Sequence, residues 1–131
     1  MIAAYVESSA LVKLALDEPH ARALRRSLTD VARITSDLSI TEVTRAMRRS
    51  DGDAGLARAR ASLLTFETIP LDRATFERAA TLDPPTLRSL DALHVASALA
   101  LGVEHVVFYS YDQRTLDAAR ANGLVTASPG T

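Results

Sequence analysis

The chain has 131 residues, of which 47% are hydrophobic and 24% charged, and its formal net charge is −1. This length predicts a single domain, residues 1–131, that buries roughly two-thirds of its unfolded surface. Without cysteine the chain has no disulfide framework and no thiolate metal site, it opens without the basic start of a signal peptide, and no apolar run reaches the ~18 residues of a membrane span. We therefore expect a soluble, cytoplasmic protein.

Strand-like and helix-like segments alternate along the chain. Short apolar, β-prone runs predict strands at 2–6, 33–35, 66–69, 106–109 and 124–126. Amphipathic runs predict helices at 10–16, 19–28, 37–49, 55–64, 71–82, 90–101 and 113–121. The alternation indicates an α/β fold with a mainly parallel sheet of five strands flanked by helices, and residues 126–131 are expected to form a loose tail.

Four carboxylates fall where this topology brings the chain to one edge of the sheet. Glu7 follows the first strand, Glu42 lies in the helix after the second, and Asp112 follows the fourth. Asp91 opens the helix that leads into the fourth strand, so it starts at the same edge. Clustered carboxylates repel one another unless a cation lies between them, and Mg²⁺ prefers oxygen ligands. The edge is therefore predicted to be a metal site able to activate water near a phosphoryl group.

Each acid also has a structural interpretation. Glu42 ends a Ser-Ile-Thr-Glu capping-box pattern, Asp91 suits the dipole at a helix start, and Asp112 suits an N-cap. Glu7 fits such a role least, because Glu is not a favoured N-cap and the two serines that follow it would serve better. Both interpretations stay open for each acid taken singly.

The four acids lie in segments with distinctive sequences. In chain order these are "YVESSALVKLALDEP", "SDLSITEVTRAMRR", "LRSLDALHVASALALG" and "FYSYDQRTLDAARANGL". Together, in this order and at this spacing, they resemble the PIN-domain ribonucleases of the VapC type, the toxins of prokaryotic toxin–antitoxin pairs. The resemblance covers residues 5–123 and matches the family's four acids to Glu7, Glu42, Asp91 and Asp112. Ser110 stands where the family usually has Thr or Ser.

The resemblance implies a three-layer fold with five parallel strands and endonucleolytic cleavage of RNA, often tRNA or rRNA, with Mg²⁺ or Mn²⁺. It further implies a homodimer and a cognate VapB-type antitoxin that lies across the acidic site. Catalytic roles are carried over to all four acids, and supporting roles to Ser9 and Ser110. The metal ligands carried over are Glu7, Asp91 and Asp112.

Position 7 departs from the family, which ordinarily has Asp there. Because Mg²⁺ tolerates little distortion of its octahedron, the extra methylene of Glu7 matters. Three outcomes are possible for Glu7. It binds the metal through a water in a site that is still active, or the enzyme is attenuated or prefers Mn²⁺. In the third case, the protein is an inactive copy of the enzyme. The alternative function is therefore a PIN-like module that binds antitoxin or RNA without cleaving.

Two further sets of residues have competing interpretations. Arg45 and Arg49 lie on the stripe of Glu42, at i+3 and i+7, where they contact RNA phosphates or simply form a solvated helix face. His94, one turn after Asp91, resembles a general base but is expected to be a packed or hydrogen-bonded helix residue.

A phosphoacceptor receiver domain is excluded as an alternative protein class. Such a domain needs adjacent acids after the first strand and a Lys near the last, whereas the only Lys in the sequence is Lys13.

Overall fold

Helices and strands alternate as the sequence predicts. A computed structural model describes residues 2–131, so Met1, with which the predicted domain begins, lies outside the described residues. Within that part no helix combines the length and hydropathy needed to cross a bilayer. The elements in chain order are β1 (Ala3–Val6), α1 (Ser8–Leu16), α2 (Ala21–Ser27), β2 (Arg33–Ser36), α3 (Leu38–Leu63), β3 (Glu67–Ile69), α4 (Arg73–Ala80), α5 (Ser89–Ala100), β4 (Val106–Tyr109), α6 (Gln113–Ala121) and β5 (Val125–Ala127).

The five strands form one sheet in the order β3-β2-β1-β4-β5, and every neighbouring pair is parallel. The predicted fold class is therefore confirmed. The chain runs outward from β1 to β3 and then returns to the other side of β1 to form β4. In open parallel sheets, ligands bind beyond the carboxyl ends of the strands at such a reversal. We call the side of the sheet where the strands end the carboxyl edge.

Both faces of the sheet are covered by helices. On β1, Ala4 and Val6 belong to the core formed with helices α1, α2 and α3. Tyr5 points to the opposite face, where it packs with Phe108 of β4 and with residues of α5 and α6. Successive strand residues alternate between faces, so a strand buried on both sides is apolar throughout. This arrangement gives the three layers that the resemblance implies.

Some of the predicted helix boundaries need correction. Helix α2 starts at Ala21 rather than at 19, because Asp17 and His20 have positive φ angles of 56° and 76° and break the chain after α1. The helices predicted at 37–49 and 55–64 are continuous in α3 apart from a break at Asp51 and Gly52. Gly52 has a φ of 55° and a ψ of −134°, a conformation that glycine adopts at little cost.

The predicted loose tail is also shorter than expected. Residues 126 and 127 belong to β5, where Ala127 aligns with Tyr109 of β4. Beyond the strand, the Tyr111 hydroxyl donates to the carbonyl oxygen of Pro129 at 2.8 Å. The end of the chain is therefore tied to the loop that follows β4.

Candidate active site at the carboxyl edge

The four predicted acids are linked by hydrogen bonds along the carboxyl edge. The α1 serines make the first links, since Ser8 contacts Glu42 and Ser9 contacts Glu7. Ser9 also accepts from the backbone N–H of Tyr111 at 3.3 Å, one residue before Asp112. Asp112 is joined in turn to Asp91 through one arginine. The structure thus places all four acids at one edge.

Glu7 is buried, with 3% of its surface exposed, and it caps helix α1. Its Oε1 accepts from the backbone N–H of Ala10 at 3.2 Å and from the hydroxyl of Ser9. The expectation that Glu7 fits a capping role least is therefore wrong. Its extended backbone, with a ψ of 170°, lets the longer side chain reach the helix N-terminus. Burial raises the pKa of Glu7, and the nearby His94 together with hydrogen bonds from Ser9 and Ser110 offsets only part of this rise.

Asp91 and Asp112 share one guanidinium, that of Arg88. Its Nε donates to Asp91 Oδ2 at 2.9 Å, and its Nη2 donates to Asp112 Oδ2 at 3.1 Å. Arg88 is 67% exposed, so this cation lies at the surface of the site. Sequence reasoning missed it, although its position three residues before Asp91, just ahead of the predicted helix, was a usable signal.

Asp112 combines a structural role with its place in the site. Its Oδ1 accepts from the backbone N–H groups of Arg114 and Thr115, at 3.0 and 3.2 Å, and so caps α6. Its own N–H donates to the buried Ser110 Oγ at 3.0 Å, which fixes the turn after β4. One oxygen therefore serves the helix while the other contacts Arg88.

Glu42 does not cap its helix. Helix α3 begins at Leu38, whose N–H donates to Ser36 Oγ at 3.0 Å, so the capping-box interpretation is wrong. Instead, Glu42 Oε1 lies 2.7 Å from both the Ser8 hydroxyl and His94 Nε2. Burial alone would raise the pKa of Glu42, but the hydrogen bonds from His94 and Ser8 outweigh it and the pKa is lowered.

His94 is packed and hydrogen-bonded, as predicted, with 1% of its surface exposed. Its Nδ1 lies 2.8 Å from the Tyr5 hydroxyl, on the side of the ring away from Glu42. The links from His94 and Ser8 to Glu42 were not foreseen. The available signal was a histidine among the otherwise mostly apolar buried residues of α5.

Three arginines form a basic patch on the first arm of α3. Arg45, Arg48 and Arg49 are all exposed and together line one surface depression. None of them forms an ion pair with a carboxylate in residues 2–131. They are therefore available for phosphate groups, and the RNA contact expected of Arg45 and Arg49 stays a prediction.

The acids have the chemistry of a cation site, although they are arranged around other partners. Across residues 2–131, no three acidic or histidine side chains lie close enough together to hold a metal ion as they stand. One oxygen each of Asp91 and Asp112 binds Arg88, and Glu7 Oε1 caps α1. The four side chains offer carboxylate oxygens, which are the ligands that a hard divalent cation takes.

Comparison with known proteins shows which family, relatives and solved structures this chain is similar to. The family model for the PIN domain matches residues 4–121. Ribonuclease VapC47 of Mycobacterium tuberculosis is 40% identical over 133 residues, covering 96% of both chains. The crystal structure of the M. tuberculosis sarcin-ricin loop cleaving toxin VapC20 superposes with a TM-score of 0.76 at 18% identity, covering 97% of this chain and 100% of that one. The structure of VapBC2 from Rickettsia felis, bound to a promoter DNA fragment, gives 0.75 at 12% identity, covering 96% and 98%.

Proposed function

The chain belongs to the PIN domain family and, within it, to the VapC proteins, and from this premise we propose that it is an endoribonuclease toxin that hydrolyses phosphodiester bonds in RNA with Mg²⁺ or Mn²⁺. One observation carries the proposal. Asp91 and Asp112, from the starts of α5 and α6, meet on a single cationic group, Arg88, at the edge where Glu7 and Glu42 also lie. The relative named Ribonuclease VapC47 supports the class of reaction.

The roles follow from the contacts of each side chain. Glu7, Asp91 and Asp112 would hold the cation, which supplies an acidified water and offsets charge developing on phosphoryl oxygens. Glu42, whose lowered pKa keeps it ionised, would accept a hydrogen bond from the attacking water and orient it. Ser9 and Ser110 would hold the two loops that carry Glu7 and Asp112.

Partners follow from the same premise. The exposed arginines of α3, in particular Arg45 and Arg49, would contact RNA phosphates, with tRNA or rRNA as the substrate class. A VapB-type antitoxin would cover the acidic edge, since a structural neighbour is a VapBC complex. A homodimer is proposed from the resemblance to VapC toxins.

The direct test is cleavage of a total tRNA and rRNA pool by the purified protein with Mg²⁺, with Mn²⁺ and with a chelator. We expect discrete fragments with either metal and none with the chelator. Fragments that persist in chelator would contradict the proposed metal dependence. Intact RNA in the presence of a folded, metal-binding protein would instead favour the alternative, a PIN-like module that binds without cleaving.

The N-cap that Glu7 forms on α1 favours the alternative of a module that binds RNA without cleaving it, and substitution of Glu7 tests this. Because Glu7 Oε1 is already bound to the start of α1, this side chain is less free to ligate. We expect Glu7→Asp to keep the cap, since Asp is a favoured N-cap, and to keep or raise the cleavage rate, by up to about 10²-fold if geometry is limiting. A large loss of cleavage in Glu7→Asp would show that the site has adapted to Glu.

Arg88 is expected to compete with the metal. Removing its charge in Arg88→Ala frees one oxygen on each of Asp91 and Asp112, so Mn²⁺ should bind tighter by about 1.5- to 5-fold, the range for an exposed ion pair. Titration calorimetry with Mn²⁺ measures this directly. The matched control is Arg73→Ala, because among the described residues Arg73 pairs with Glu77 on α4 and with no other acid. Equal or weaker Mn²⁺ binding in Arg88→Ala would show that Arg88 does not compete.

A further inference from the structure

A buried histidine, His94, contacts the carboxylate of Glu42 from the core of the protein. The ring of His94 is held on α5 by the Tyr5 side chain, at a centroid distance of 6.0 Å and an interplanar angle of 67°. Tyr5 stacks in turn on Phe108, with centroids 5.5 Å apart. All three side chains are buried, so packing fixes the direction in which His94 Nε2 points. That direction is toward Glu42 Oε1, at 2.7 Å.

The hydrogen-bond partners of His94 determine where its hydrogen lies. An ionised carboxylate only accepts hydrogen bonds, so Nε2 must carry the hydrogen that it shares with Glu42. In a neutral ring Nδ1 is then an acceptor, and the Tyr5 hydroxyl at 2.8 Å is its donor. The Ser8 hydroxyl donates to the same Glu42 oxygen at 2.7 Å. Glu42 Oε1 therefore accepts two hydrogen bonds, one from Ser8 on α1 and one from His94 on α5.

We propose that His94 is a positioning residue that orients the Glu42 carboxylate toward the site, with Tyr5 selecting the ring tautomer that makes this possible. His94 is itself too buried to reach a substrate, so its effect must pass through Glu42. A displacement of about 1 Å in a catalytic group can cost on the order of 10²-fold in rate. The effect on cleavage rests on the proposed function, whereas the contact between His94 and Glu42 does not.

Two variants separate the hydrogen bond from the packing. In His94→Gln the amide nitrogen reaches about as far as Nε2, and in His94→Asn it reaches only about as far as Nδ1. We expect His94→Gln to keep cleavage within a few-fold of the wild type and His94→Asn to lose about 10-fold or more. Equal losses in the two variants, with both folded by circular dichroism, would overturn the proposal.

A double-mutant cycle shows whether His94 acts through Glu42. Once Glu42→Gln has removed the carboxylate, adding His94→Asn should cost little further cleavage in single-turnover assays. Independent, multiplying losses would mean that His94 acts by another route and would overturn the proposal.

Nitrogen-15 NMR of the metal-free wild type tests the contact without any cleavage assay. We expect the Nε2–H tautomer of His94, with ring signals that shift in Glu42→Gln and stay in place in the exposed control Glu77→Gln. The Nδ1–H tautomer, or signals indifferent to Glu42→Gln, would overturn the proposal. A wild type that cleaves no RNA but shows the expected tautomer and shift would refute the proposed function and leave the positioning of Glu42 by His94 supported.

Discussion

Asp91→Asn is expected to lower metal-dependent RNA cleavage by about 10²-fold or more, the range for losing one group that stabilises charge developing in the transition state. Asn has the same shape as Asp but no charge, so it neither attracts a cation nor competes for Arg88. Within residues 2–131, Asp91 accepts one side-chain hydrogen bond, from Arg88, and it caps no helix. Because Asp91 lies in the first turn of α5, its replacement should lower the free energy of unfolding by only about 0.3–1 kcal/mol, through the helix dipole.

The measurement is the single-turnover cleavage rate with Mg²⁺ and with Mn²⁺. Asp53→Asn is the matched control, because Asp53 is exposed just beyond the break in α3 and undergoes the same chemical change. Cleavage near the wild-type rate in Asp91→Asn would remove Asp91 from the site and undermine the proposed function.

Glu7→Gln is expected to stabilise the metal-free protein at neutral pH, because burial disfavours the ionised carboxylate of Glu7 more than its hydrogen bonds and nearby His94 favour it. The folded-state pKa of Glu7 is raised above its ordinary value of 4.5 by burial. In the pH range between these two values the folded state binds more protons than the unfolded state, so the wild type loses stability as pH rises. Gln does not titrate, and the difference between the two proteins should vanish at acidic pH.

Urea unfolding of both proteins from acidic to neutral pH measures this difference. Glu42→Gln should behave in the opposite way, because the pKa of Glu42 is lowered in the folded state. Glu42 therefore stabilises the wild type above its ordinary pKa, and this contribution is lost as pH falls through the folded-state value. A Glu7→Gln difference that does not change with pH would mean that Glu7 is not held in a destabilising, buried environment.

The sequence predicts most of the fold because the elements have strong local signals. The strand at Val106–Tyr109 and the helix at Gln113–Ala121 have the bounds expected from hydrophobic periodicity, and the parallel topology follows from their alternation. Boundaries were missed where backbone conformation depends on more distant contacts. His20, with its positive φ, delays α2 although Pro19 suits a helix start.

The acids of the site were predictable, but their partners were not. Topology alone brings Glu7, Glu42, Asp91 and Asp112 to one edge. The hydrogen bond from His94 to Glu42 joins α5 to α3. Sequence patterns within either helix do not specify which residues of the two helices face each other in the fold. The cap formed by Glu7 was missed for a different reason. General N-cap preferences rank residue types, and they do not show that this particular Glu side chain reaches the backbone N–H of Ala10.

The placement of β1 in the middle of the sheet has a consequence for synthesis of the protein. Glu7 is made first, but the β4 strand beside it and the Asp112 that follows are made last among the site residues. Domains fold during translation only as their parts emerge, at about 5–20 residues per second. A nascent chain therefore cannot assemble the acidic edge until β4 has left the ribosome and paired with β1. Any chemistry that needs all four acids therefore waits until Asp112 has emerged.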